Sequence, residues 1–268
     1  GRLLDLIKRG SIDLSSLNIL VVDEADQMFD MGFADELEAV LKALPVKRQN
    51  LLFSATITER VAGLAGKFMR DPVHIKDEEG VTPAEHIQHR AIEVNRNSRG
   101  PLLRHLIRSE HWGQTLVFVA AVRDADILVV KLLKAGIAAN AFHGALTQAQ
   151  RTQVLKDFKA GAFKVLVATD IAARGIDIFK LPYVVNYDLP RSANDYIHRI
   201  GRTARAGEAG VAVSFIGHED QAHFSLIEKR VHLRLPRETV AGFALTGEPL
   251  PREKGKAPVK GHRMSKKD

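Results

Sequence analysis

Short apolar runs closed by polar turn residues recur along the chain. They alternate with stretches in which apolar residues return every three or four positions. The runs predict strands at NILVVD (18–23), QNLLFSAT (49–56), PVHIK (72–76), QHRAIEV (88–94), TLVFVA (115–120), AANAFH (138–143), FKVLVAT (163–169), YVVNYD (183–188) and GVAVSFI (210–216). The helical period predicts helices over 34–44, 58–69, 99–109, 122–135, 147–159, 192–200 and 218–230, with Thr147 as an N-cap. Strands that alternate with helices predict an α/β fold built on parallel sheets.

The polar segment KDEEGVTPAEH (76–86) holds Gly80 and Pro83 between two apolar blocks, and 77–86 reads as an interdomain linker. The block 87–232 has enough elements for a complete domain. The block 1–76 offers three strands and two or three helices, too little for an independent doubly wound domain, so half a sheet is expected outside these residues. Periodicity fades after 232, and from 247 the chain is mostly Pro, Gly and Lys; 233–268 is expected to be a basic, disordered tail. The chain shows no internal repeat.

With 45% hydrophobic and 26% charged residues, the composition is that of a soluble globular protein. The lack of cysteine excludes a disulfide framework and thiolate metal sites, and it fits a reducing compartment. No apolar run reaches the length of a membrane span and no signal pattern opens the chain, so a cytoplasmic location is expected. Charge changes the picture more. Of the net +7, +5 falls on the last 18 residues, where seven Lys/Arg face two acids. A polyanionic partner is suggested by the tail, while a binding surface elsewhere needs local arrangement.

Four stretches carry candidate chemistry. ILVVDEAD (19–26) is an apolar strand ending in Asp23, Glu24 and Asp26, and ligands of open α/β sheets lie beyond such ends. An Asp there can hold Mg²⁺ through water while a neighbouring Glu polarises an attacking water; an acidic helix cap is the competing reading. SAT (54–56) closes another strand and is a weak signal alone. VLVATDIAARGIDI (165–178) again runs from strand to polar turn, with Asp170 as a helix cap in the plainer reading. YIHRIGRTARAGEAG (196–210) concentrates arginine. If the helix there continues, His198, Arg202 and Arg205 share a face and Arg199 points elsewhere. Guanidinium pairs suit phosphate oxygens and the charge that develops in phosphoryl transfer; a solvated basic helix end is the alternative.

Together with LVFVA (116–120) and HGALTQAQR (143–151), these stretches stand in an order that resembles the DEAD-box RNA helicases of superfamily 2, over about residues 1–230. The resemblance implies two RecA-like parallel-sheet lobes, the first incomplete, and ATP-dependent RNA unwinding or remodelling. It implies Mg²⁺ and the hydrolytic water at Asp23 and Glu24, and a link from Asp26 to Ser54, Thr56 and, in the closed state, His198. Arg202 and Arg205 would reach the γ-phosphate, Arg205 as arginine finger, with Asp177 at the ribose and Gly175 near the nucleotide. Gly1, Arg2, Gly144, Gln148, Arg151, Thr169 and Arg174 belong to motifs that grip RNA or latch the lobes. GRL (1–3) is similar to the end of a first-lobe RNA motif whose preceding Thr-Pro is absent here.

The departures matter as much. No G-x-x-x-x-G-K-[ST] loop occurs in the 268 residues, and the family's adenine-recognising glutamine motif is also absent from them. The expectation is an N-terminally truncated, monomeric helicase, inactive alone for want of ATP's phosphate cradle. A non-catalytic RNA-binding or scaffolding module is the alternative, and a DNA-directed helicase of the same superfamily is a third, weaker reading.

Overall fold

The computed structural model describes residues 1–30, 32–54, 57–75, 87–173, 178, 180–203 and 210–247, without the side chains of Gln27 and Asp30. The chain divides into two compact units between residues 78 and 79.

The first unit holds α1 (Arg2–Lys8), β1 (Ile19–Val22), α2 (Ala25–Asp30), α3 (Ala34–Lys42), β2 (Gln49–Leu52) and α4 (Glu59–Phe68). β1 and β2 pair in parallel, Val22 opposite Leu52. Val22, Ala25, Leu37, Val61 and Leu64 form a small core, whereas Ile19 and Val21 on the other side of β1 are exposed. Thr58 caps α4 by accepting from the Val61 N–H at 3.3 Å. The strand expected at 72–76 does not form over its described residues, 72–75. Val73 and Ile75 there are exposed, and apolar alternation makes no strand without a ladder partner and a face to cover.

In the second unit the order is β3 (Ile87–Glu93), α5 (Arg99–Ser109), β4 (Thr115–Phe118), α6 (Val122–Lys134), β5 (Ala139–Phe142), α7 (Gln148–Lys159), β6 (Val165–Ala168), α8 (Asp170–Ala173), β7 (Tyr183–Asn186), α9 (Ala193–Ile200), β8 (Gly210–Ile216), α10 (Gln221–Arg230) and β9 (Arg237–Glu238). These strands form one parallel sheet in the order β5-β6-β4-β7-β8-β3-β9. TLVF and VLVA, the sequences of β4 and β6, are wholly buried, as central strands covered on both faces must be. Alternate residues feed opposite cores: Val117 and Val119 pack with Leu103, Trp112 and Leu132, while Leu116 and Phe118 pack with Phe142, Phe158 and Val184. A third cluster joins Tyr196 and Ile200 of α9 to Phe224 and Ile227 of α10. The chain leaves β4 toward β5 and later crosses back to β7, so the order reverses beside β4, where α/β sheets open a crevice at their carboxyl ends.

The expected disordered tail does not hold for 233–247. Residues 233–247 fold back on the second unit, with β9 pairing at the edge of β3. Leu233 and Leu235 cover the third cluster, and Val240 and Phe243 cover the first. Arg237 donates to Glu228 at 2.7 Å, Arg90 to Glu238 at 3.0 Å, and the Asn95 amide meets the Thr246 hydroxyl at 2.7 Å. The partners of Glu238 and Thr246 lie about 150 residues away, and the segment carries no local period. The rest of the expected tail, 248–268, and the linker, 77–86, lie outside the described residues.

Candidate functional site

Beyond β1 the chain turns sharply. Glu24 adopts a left-handed backbone, φ +50°, a conformation that costs a residue with a side chain of order 1 kcal/mol and recurs at functional turns. Asp23 stabilises the turn, its Oδ1 accepting from the Glu24 N–H at 2.8 Å. The end of β2 ties it down: Phe53 donates to the Val22 carbonyl at 2.8 Å, and Ala25 donates to that of Phe53 at 3.1 Å. The Asp26 N–H donates to Ser54 Oγ at 3.2 Å, joining two of the stretches singled out in the sequence. Asp23 is exposed, Glu24 half-buried and Asp26 buried. Among the described residues no group of three or more His, Cys, Asp or Glu could enclose a metal. One exposed carboxylate fits Mg²⁺ nonetheless, since that ion keeps several waters and takes one or two protein oxygens.

In the second unit, β5 leads into the His143–Thr147 turn. His143 is buried, with Nε2 3.0 Å from Asp126 Oδ1. Gly144 and Gln148 are exposed, and Arg151 braces the turn by donating Nε to the Leu146 carbonyl at 3.2 Å and Nη2 to that of Gly144 at 3.3 Å. Thr147 closes a capping box with Gln150, so α7 starts where the sequence placed its cap. At the end of β6, Thr169 is buried, and its carbonyl receives the N–H groups of Ala172 and Ala173 at 3.1 and 3.0 Å.

In the arginine-rich stretch α9 ends at Ile200, where the predicted helix over 192–200 also ends, with Gly201 as C-cap; the continuation that would put His198 and Arg202 on one helical face does not occur. The cause lies at Thr203, which bridges Leu181 and donates its hydroxyl to the Leu181 carbonyl. Arg202 sits half-buried in the turn between, its carbonyl accepting from the Leu181 N–H at 3.1 Å. Arg199 turns inward. Nε and Nη2 donate to the two Asp170 oxygens at 2.6 and 2.7 Å. Nη1 donates to Asn186 Oδ1 at 3.0 Å and to the Asp188 carbonyl at 2.7 Å, and the guanidinium lies 4.8 Å over the Phe118 ring.

Asp188 is itself a junction. Its carboxylate accepts from Arg99 at 2.9 Å and from the Ala120 N–H at 3.0 Å. Arg99 also reaches Asp220. Burial, and after it the nearby Asp188 charge, push the Tyr187 phenol above its ordinary range; burial pushes Tyr196 to about 12. Arg99, Asp188, Asn186 and Arg199 were not expected as site residues. The one sequence signal for Arg199 is its place between Tyr196 and Ile200 on the buried stripe of α9, where arginine is uncommon.

Gly1 caps α1 through its backbone alone, and Arg2 is exposed. Thr56, Arg174, Gly175, Asp177 and Arg205 lie outside the described residues. No described helix is long and apolar enough to cross a membrane.

Two family models match the chain: DEAD/DEAH box helicase over residues 1–64, and helicase conserved C-terminal domain over 99–207. The DEAD-box ATP-dependent RNA helicase CshA of Bacillus subtilis is 40% identical over 250 residues, covering 92% of this chain and 51% of the relative. The ATP-dependent RNA helicase DbpA of the same organism is 36% identical, covering 88% of this chain and 50% of the relative. The chain thus spans about half the length of the curated relatives it matches. A solved structure of S. cerevisiae Dbp5 bound to RNA and ADP BeF3 has 34% identity and a TM-score of 0.78, covering 88% of this chain and 63% of that one.

Proposed function

The chain belongs to the DEAD-box RNA helicase family, and we propose that the protein carrying it hydrolyses ATP under stimulation by RNA and uses the cycle to open or remodel short RNA duplexes. The observation that carries this reading is the Asp23–Asp26 turn. A left-handed glutamate beside an exposed aspartate at a strand's carboxyl end suits Mg²⁺ and a polarised water better than it suits a simple helix cap. In this reading Asp23 holds Mg²⁺ largely through water, and the ion supplies charge neutralisation at the phosphates. Glu24 orients the attacking water and takes up its proton. Asp26, Ser54 and Thr56 couple that turn to His198. Arg202 and Arg205 balance the charge that grows on the transferred phosphoryl group, with Gly175 and Asp177 near the nucleotide.

Gly144, Gln148, Arg151, Thr169 and Arg174, with Gly1 and Arg2, are assigned to RNA. Contacts to sugar and phosphate there give binding that tolerates sequence. These 268 residues contain no phosphate-cradling G-x-x-x-x-G-K-[ST] loop, so by themselves they should turn over no ATP.

Fluorescence anisotropy with the 268-residue chain tests the RNA assignment. Two single-stranded RNAs of unrelated sequence should bind with similar affinity, more tightly than DNA, and weaken as salt rises. ATP turnover should be absent with and without RNA. Equal or tighter binding of DNA favours the DNA-directed reading, and RNA-stimulated turnover from this chain alone contradicts the role given to the missing loop.

A further inference from the structure

Arg199 lies outside every role assigned above, yet its side chain joins several parts of the second unit. Its guanidinium is almost closed to solvent, at 3% side-chain exposure, and four of its N–H···O bonds run to three places. One is Asp170, the first residue of α8, next to Thr169. The second is Asn186, whose amide donates to Ser214 Oγ of β8 at 3.1 Å. The third is the carbonyl of Asp188, whose carboxylate holds the Ala120 N–H beyond β4 and Arg99 at the start of α5. Arg199 itself sits one turn before Arg202.

An apolar contact would fasten α9 to the sheet at lower desolvation cost, because burying an ion pair commonly gives no net stability over well-packed hydrophobic side chains. What the guanidinium adds is direction. Its planar fork fixes a carboxylate in two bonds at one angle, which lysine cannot do. We propose that Arg199 is a positioning residue: with Asp170 it locks the Thr169 turn and the Arg202 turn into one register, so that the RNA-contacting and phosphate-contacting segments move as a single body. The consequence for RNA rests on the function proposed above; the mechanical coupling does not.

The test compares Asp170→Asn, Arg199→Lys and a control, Leu132→Ala, in the 268-residue chain. Asp170 is partly exposed and Asn keeps one acceptor, so that variant tests the strut even if Arg199→Lys fails to fold. Leu132 is a core residue of α6 in an apolar cluster to which no residue of the strut belongs, and its truncation lowers stability by cavity formation. Hydrogen–deuterium exchange should quicken together over 169–173 and 196–203 in both strut variants, with 115–118 unchanged. Their affinity for single-stranded RNA should fall on the order of tenfold, as expected when binding groups lose alignment. Leu132→Ala should change that affinity less than about twofold. Faster exchange in only one of the two segments overturns the coupling. RNA affinity that follows the thermal midpoint alike in all three variants reduces Arg199 to a structural strut. Absence of RNA binding by the wild-type chain refutes the function proposed above instead, and the exchange data then decide the coupling alone.

Discussion

At Glu24 the backbone conformation and the side-chain chemistry pull apart, and substitutions can separate them. The left-handed φ of +50° suits glycine and penalises β-branched residues. Glu24→Gly should keep or raise the thermal midpoint, while Glu24→Val should cost about 1–2 kcal/mol. Thermal denaturation of the two variants checks this, and equal midpoints would contradict the strain. Glu24, Asp23 and Asp26 were readable in the sequence because an abrupt run of acids after an apolar strand is a local pattern. Arg199 was not. Its partner Asp170 is 29 residues away, and arginine's usual place on surfaces argued for solvent. The end of α9 at 200 was legible, but its anchor was hidden for a similar reason, since Thr203 bridges Leu181, a residue on another connection.

Whole elements divide along the same line. The longer helices from α3 onward and strands β3 to β8 of the second unit follow from periodicity, because one face or both are buried and the pattern repeats within a few residues; the short α1, α2, α8 and β9 do not. The 233–247 segment has no such period; scattered apolar residues and two ion pairs hold it. Phe243 packs on the first core cluster and against His105, ring centroids 5.3 Å apart. Phe243→Ala should cost about 2 kcal/mol, near half the loss for a fully buried Phe. The Arg237 hydrogen bonds hold the Glu228 carboxyl below its ordinary 4.5, with help from the Leu235 N–H and against the penalty of burial. A lowered folded pKa gives stability that is complete above the ordinary value and is lost as pH falls through the folded one. The midpoint difference between wild type and Glu228→Gln should therefore be largest near neutrality and shrink below about pH 4.5. A difference that grows with acid would contradict the pairing.

Across the molecule, the two units differ in how far they complete their sheets. Seven parallel strands and three apolar clusters make the second unit a full α/β layer structure. Among its described residues the first has two paired strands, one small core and an exposed strand face at Ile19 and Val21. Sequence order alone exposed that imbalance, because strand count is a matter of length and pattern. The sequence also brought out the motif order that places the chain in its family, while the junction at Asp188 needed the fold. In the proposed function the acidic turn and the arginine turn serve RNA-dependent ATP hydrolysis. The most direct measurement is phosphate release by the natural gene product that carries these residues, with and without RNA, beside its Arg202→Ala variant. RNA should accelerate release in the wild type, and the variant should lose on the order of a hundredfold or more of the stimulated rate, as loss of a charge-stabilising group does. Turnover indifferent to RNA, or unchanged by Arg202→Ala, would contradict it.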